Sequence, residues 1–284
     1  MAKRKTVAVP PQTRAMLARA VARLKPPPSL TLSQWADKER RLSQGASALP
    51  GRWRTDKAPY QRGIMDAISD PHIRKVVVMS CAQIGKTDAL VLNTIGYYMN
   101  YNPSPIMVLQ PTLDMGQGFS KEKLPPMLRD TPCLRGMVDN RSRMSGNTIL
   151  LKNFPGGYLV IVGANSPASL ASRPIKVLLA DEIDRYPASA GTEGDPLSLA
   201  EKRQTTFWDK KQVFVSTPTL DQTSRIKVEY EHSTQEEFAI PCPSCGHYQP
   251  LVWANLKFDP DDPKDPTYVC ERCGVADSEA HWKR

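Results

Sequence analysis

Four short apolar runs constrain this chain more than any other feature: "KVVVMS" (75–80), "PIMVLQ" (105–110), "IKVLLADE" (175–182) and "KQVFVSTP" (211–218). Each is rich in β-branched residues and lacks the polar–apolar alternation of a half-exposed strand. Each therefore reads as a strand buried on both faces. Helix-length segments follow the first two, at 87–99 and 115–128. "TILLKNFPGGYLVIVGA" (148–164) adds two strands joined through Pro155-Gly156-Gly157, a hairpin signal. Strands alternating with helices predict an α/β fold, a mostly parallel sheet with helices on both faces.

Upstream, 14–24 reads as a short amphipathic helix stopped by Pro26-Pro27-Pro28. Residues 31–42 read as a second helix capped by Thr31 or Ser33, and 45–59 as a loop around Trp53. The chain of 284 residues carries a net charge of +9. Residues 1–54 hold twelve lysines and arginines against two acids, Asp37 and Glu39. Such asymmetry suits a polyanionic partner such as nucleic acid, and it equally suits a solvated tail. No apolar run approaches the roughly 20 residues a bilayer span needs, and the N-terminus lacks the apolar segment of a secretory signal. A soluble, intracellular protein is expected.

The first strand leads into Ser80-Cys81-Ala82-Gln83-Ile84-Gly85-Lys86-Thr87. This stretch fits the phosphate-binding pattern G-x-x-x-x-G-K-[ST] at every fixed position except the first. A strand, a turn with inward N–H groups and a helix N-terminus together cradle phosphate. Gly85 lets the backbone approach the phosphates, Lys86 reaches the β/γ-phosphates, and the Thr87 hydroxyl ligates Mg²⁺. Ser80 occupies the strand exit, where backbone freedom matters less.

A second element strengthens this reading. Asp181 and Glu182 end the third apolar run, and a parallel sheet delivers its ligands at the C-terminal ends of its strands. Asp181 is expected to hold the Mg²⁺ shell and Glu182 to polarise the attacking water, which together imply NTP hydrolysis. The fourth run ends in Ser216 and Thr217, either of which suits contact with that water or the γ-phosphate. Upstream, Gln61 is suited to reading an adenine edge and Tyr60 to stacking on it. A plain solvent-facing helix start fits these two residues as well. Arg173, Arg185 and Arg225 are candidates for the cation that meets developing charge, and spacing selects none of them.

From Phe238 the composition shifts to proline, cysteine and glycine. Cys242/Cys245 and Cys270/Cys273 form two C-x-x-C pairs, each followed by glycine. Four thiolates at this spacing predict a closed, structural Zn²⁺ site in a ribbon-like module. His247 reads as polar surface, and Cys81 and Cys133 as small apolar fillers. The expected layout is a basic extension (1–29), a P-loop ATPase domain of RecA/ASCE type (30–237) and a four-cysteine, zinc-ribbon-like module (238–284).

Six segments resemble, in order, the large terminase subunits of tailed phages, in the lambda-like GpA family. They are "WADKERRLS…PGRWRTDKAPYQRGIMDAISDP", "VVVMSCAQIGKT", "GYYMNYNPSPIMVLQPT", "SRPIKVLLADEIDRYP", "VSTPT" and "PCPSCGHYQPLVW". The resemblance covers about 30–284. That family often carries an A-Q-x-G-K-T loop core, so Ser80 and Gln83 are at home in a working site. The resemblance implies ATP as the nucleotide, with hydrolysis carried by Lys86, Thr87, Asp181 and Glu182 and coupled to motion through Ser216, Thr217 and Thr219. It also implies translocation of double-stranded DNA into a procapsid in the host cytoplasm. The partners it implies are the portal protein, a small terminase subunit bound through the basic N-terminus, and sister copies in a ring. The family's metal-dependent nuclease domain lies beyond the cysteine module, so this chain is expected to be an ATPase fragment that does not cut DNA. The alternatives are a helicase-like ATPase and a zinc-bearing DNA-binding module whose ATPase is silent.

Overall fold

In the computed structural model, residues 29–283 are described apart from 46, 48, 140–145, 172, 262 and 263, together with residue 13. The helix expected at 14–24 and most of the basic extension lie outside the described residues.

A six-stranded sheet forms the centre. Its strands are β1 (Lys75–Met79), β2 (Ile106–Gln110), β3 (Leu151–Phe154), β4 (Gly157–Gly163), β5 (Val177–Asp181) and β6 (Lys211–Ser216). The order across the sheet is β1-β6-β5-β2-β4-β3. Every pairing is parallel except the β3–β4 hairpin. β2, β5 and β6 are buried at every residue, which explains why their sequences lack alternation. Side chains still alternate between two cores: Ile106 and Val108 face one apolar cluster, Met107 and Leu109 the other.

The first cluster is covered by α1 (Leu32–Glu39), α2 (Tyr60–Ser69), α3 (Thr87–Asn100) and α4 (Leu113–Asp130). α3 is π-helical over Thr87–Leu92 and α-helical over Asn93–Asn100. α4 runs from Leu113 to Asp130 with a π-helical stretch at Phe119–Lys123. Trp35 of α1 seats its ring on Gly96 of α3, where an added Cβ would stand 2.3 Å from the ring. The second cluster packs under α5 (Pro167–Leu170), α6 (Pro196–Glu201) and α7 (Arg225–Glu231).

Two local expectations are corrected. α1 is capped by Thr31, in a capping box with Gln34, but it stops at Glu39 and not at residue 42. Arg40 is drawn into the core, 3% exposed, where its guanidinium meets Asn93 and Asp88. Arg41–Leu42 then pairs as a short strand with Gly51–Arg52. The fourth helix begins at Leu113, two residues early, because Thr112 caps it through the Met115 amide.

The cysteine segment forms one hairpin and one three-stranded antiparallel sheet. β7 (Ala239–Pro241) pairs with β8 (Tyr248–Pro250). β9 (Leu256–Lys257), β10 (Thr267–Val269) and β11 (Ala276–Ser278) form a three-stranded sheet, followed by α8 (Glu279–Trp282).

Candidate active site

Register brings the chemistry to one edge of the sheet. Met79 at the end of β1 is level with Ser216, and Asp181 at the end of β5 is level with Val215. β6 lies between β1 and β5, so its Ser216–Thr217 tail separates the glycine–lysine loop from the acidic pair.

The loop from Ser80 to Lys86 leaves β1 and turns through two left-handed residues, Gln83 (φ 63°) and Gly85 (φ 76°). At Gly85 the conformation suits glycine, and an added Cβ would also stand 3.3 Å from Gln61 Nε2. Lys86 already has helical backbone angles and begins α3. The π-helical turn that follows sends the Asn93 amide to the Asp88 carbonyl.

Lys86 is 7% exposed. Its ammonium lies 2.8 Å from Glu182 Oε1 and donates to the Thr217 hydroxyl. Glu182 adopts left-handed backbone angles (φ 55°, ψ 49°), and its amide donates to the Val215 carbonyl at 2.7 Å. This sharp turn after β5 aims the side chain across the Thr217 tail toward Lys86. Strain of this kind costs on the order of 1–3 kcal/mol and persists where surrounding contacts hold it.

Asp181 is 5% exposed and accepts one hydrogen bond, from Gln110 Nε2 at 3.3 Å on Oδ2. Burial pushes its pKa up to about 6, against the opposing Gln110 contact. Its Oδ1 is buried with no partner among the described residues, as is the Ser80 hydroxyl. An unpartnered buried carboxylate oxygen beside a phosphate-type loop is the donor a hard divalent cation takes.

Ser216 faces inward: its hydroxyl receives the Asp184 amide and donates to the Thr217 carbonyl. Thr219 donates through both its amide and hydroxyl to Asp184 Oδ2. Asp184 Oδ1 also accepts the Ile226 amide at the start of α7. Asp184 thus joins the acidic loop, the β6 tail and α7, a role that nothing in its spacing announced. Tyr60 and Gln61 both donate to the Ile84 carbonyl, at 3.1 and 2.7 Å. They hold the loop backbone.

The three arginine candidates separate. Arg225 pairs with Asp195 and donates to the Pro187 carbonyl. Arg173 lies over the Tyr158 ring at 5.6 Å. Arg185 is exposed, 3.5 Å from Glu182 Oε2. Cys81 corrects the apolar-filler expectation. β1 ends at Met79, and the thiol two residues on is exposed in the loop. Cys133 is half-buried, and burial pushes its thiol up to about 11.

Cys242 and Cys245, in the turn between β7 and β8, and Cys270 and Cys273, in the turn between β10 and β11, bring their sulfurs within 4.8 Å of one another. The two knuckles repeat one geometry. Gly246 donates to Cys242 and Gly274 to Cys270, at 2.9 and 3.0 Å, with left-handed glycines at both turns. His247 does not join the sulfurs. Its Nε2 meets Glu271 Oε1 at 2.8 Å, linking the knuckles.

The sequence profile of the ATPase domain of phage terminase large subunit gpA matches residues 47–284. This chain belongs to that family. It is 30% identical over 258 residues to the terminase large subunit of Enterobacteria phage P21, covering 87% of this chain and 40% of that protein. It is 29% identical over 255 residues to the terminase large subunit of Escherichia phage lambda, covering 86% and 39%. The terminase ATPase chain thus spans about two fifths of the length of these curated relatives. The HK97 bacteriophage large terminase shares its fold, with a TM-score of 0.57 at 11% identity over 72% of this chain and 42% of that one. Among the described residues no helix is long and apolar enough to cross a membrane.

Proposed function

We propose that this chain is the motor domain of a terminase large subunit, hydrolysing ATP in the host cytoplasm to drive double-stranded DNA into a procapsid. The observation that carries the reading is the meeting of Lys86, Thr217 and Glu182 beside the unpartnered oxygen of Asp181. ATP phosphates bind the Gln83–Thr87 backbone, with Lys86 moving its charge onto the β/γ-oxygens. Thr87 and Asp181 would hold Mg²⁺, which would neutralise charge on those oxygens. Glu182, released from Lys86, orients and deprotonates the attacking water. Thr217 exchanges its contact with Lys86 as the ammonium moves, and Ser216 and Thr219 pass the change through Asp184 to α7. The strand order, with β6 between the loop strand and the acidic strand, supports a P-loop NTPase of RecA/ASCE type.

The four sulfurs fit Zn²⁺. A tetrahedral ion bound at ~2.3 Å needs sulfurs about 3.8 Å apart. Cys242–Cys273 and Cys245–Cys270 each stand at 3.8 Å. The site is closed, so the ion is structural. We place the ATPase domain at 30–237 and the cysteine module at 238–284, a division the start of β7 at Ala239 supports. Double-stranded DNA, the portal, a small terminase subunit and a ring of sister copies are the partners proposed.

Steady-state ATP hydrolysis with and without double-stranded DNA tests the reading. Turnover that rises with DNA and vanishes in Lys86→Ala and Glu182→Ala is expected. Turnover unchanged in both variants would overturn the site, and DNA binding without turnover in any assembly would favour a silent module.

A further inference from the structure

Tyr60 is the first residue of α2, and its hydroxyl donates to the Ile84 carbonyl in the phosphate-type loop at 3.1 Å. Its ring meets Phe238 edge-to-face, with centroids 6.1 Å apart and planes at 73°. Phe238 directly precedes β7, the strand that leads into the first cysteine knuckle. One side chain therefore touches the loop backbone at its tip and the root of the cysteine module along its ring. Both rings also line a cleft of about 830 Å³ shared with Tyr268 and Trp282 of that module.

The loop needs such support. It carries two closely spaced structural demands, a left-handed glutamine at 83 and a left-handed glycine at 85, and Ile84 is the residue between them. Its carbonyl receives Tyr60 and Gln61 together. Gln61 is buried, 4% exposed. Tyr60 is half-buried, so the orientation of its hydroxyl depends on what its ring packs against. An edge-to-face aromatic contact fixes ring orientation as well as position.

We infer that Phe238 is a positioning residue for nucleotide binding: through the Tyr60 ring it braces the Ile84 carbonyl, so the cysteine module sets the shape of the phosphate loop. This rests on the proposed function of that loop. The module is then more than an appendage, because a displacement at its root reaches the nucleotide through two contacts.

The test is the affinity for a fluorescent ATP analogue with Mg²⁺, measured in wild type, Tyr60→Phe, Phe238→Ala, the double variant and Lys86→Ala. Losing one hydrogen bond or one ring contact corresponds to roughly three- to tenfold weaker binding. That loss is expected in Tyr60→Phe and in Phe238→Ala, with KM raised and kcat retained, whereas Lys86→Ala should abolish binding. The double variant is expected to be no weaker than Tyr60→Phe alone, because both changes cut one path. Phe238→Trp should restore affinity and Phe238→Leu should not, which separates ring orientation from apolar filling. Unchanged affinity in Phe238→Ala, with binding abolished in Lys86→Ala, would overturn the brace and leave the nucleotide site standing. Wild-type affinity in Lys86→Ala would overturn the nucleotide site itself.

Discussion

The Lys86 ammonium stands 2.8 Å from Glu182 Oε1, so the loop cation and the acid assigned to water activation neutralise each other across the sheet edge. In the proposed mechanism each side chain has a second use that requires parting from the other. Phosphate competes for Lys86, and only a freed Glu182 can take a proton.

This pairing predicts different behaviour for its two members. Glu182→Gln should bind ATP with near-normal affinity and lose turnover by about 10²–10⁴-fold, the usual worth of a general base. Lys86→Ala should lose binding as well. Filter binding alongside single-turnover hydrolysis separates them; equal loss of binding in both would contradict the division of roles.

Gln110 is the side chain that engages Asp181, through Oδ2. With that oxygen held, Oδ1 is left for a cation. Gln110→Ala should raise the Mg²⁺ concentration for half-maximal hydrolysis by about ten- to a hundredfold, the equivalent of one hydrogen bond to a charged group. A Mg²⁺ titration at saturating ATP reads this directly, and an unchanged midpoint would show that Asp181 is oriented without it.

Asp184 should govern acid stability. Burial pushes its pKa up, yet hydrogen bonds from the Ile226 amide, Ser224 and Thr219 outweigh it and hold the carboxyl below its ordinary value of 3.8. A depressed carboxyl contributes stability that is present above the unfolded value, about pH 4, and is lost as pH falls through the lower folded value. Asp184→Asn should therefore melt lower at neutral pH and lose less on acidification. Thermal melts across the acid range check this; parallel acid limbs would reject it.

Gly96 has no room for a side chain beneath Trp35. Gly96→Ala should destabilise the domain by about 1–3 kcal/mol, the cost of overpacking a dense core. Urea unfolding followed by tryptophan fluorescence measures it, and wild-type stability would mean that α1 shifts freely.

Zinc content is expected at one ion per chain, lost in Cys242→Ser and Cys270→Ser. Elemental analysis on purified protein decides it. Retention of a full equivalent in either variant would exclude the four-sulfur site.

The sheet was legible because β2, β5 and β6 are buried on both sides, and burial of that kind leaves an uninterrupted apolar run. The glycine–lysine loop and the acidic pair were legible as neighbours because each lies at the C-terminal end of an apolar strand of one parallel sheet. Asp184 was not, since its partners Thr219 and Ile226 lie 35 and 42 residues away and backbone amides leave no mark in a sequence. Arg40 shows the limit of charge counting. It counts among the basic residues of the N-terminal stretch, yet it is buried against Asn93 and Asp88, and burial lowers its pKa. Tyr60 and Gln61 were picked out as a pair, for a base edge or for a plain helix start; their shared contact with the Ile84 carbonyl was not legible, because a backbone acceptor in a loop leaves no mark in a sequence.

Strand β1, which carries the phosphate-type loop, borders a single strand, β6. A central strand shares any load between two neighbours. This one, among the described residues, is clamped along one side only, like a plank fixed by one edge. A push on its C-terminal tip therefore bears first on β6, whose own tip holds Thr217 and, through Ser216 and Thr219, Asp184 and α7. The sheet gives force at the loop a direction before any partner is engaged.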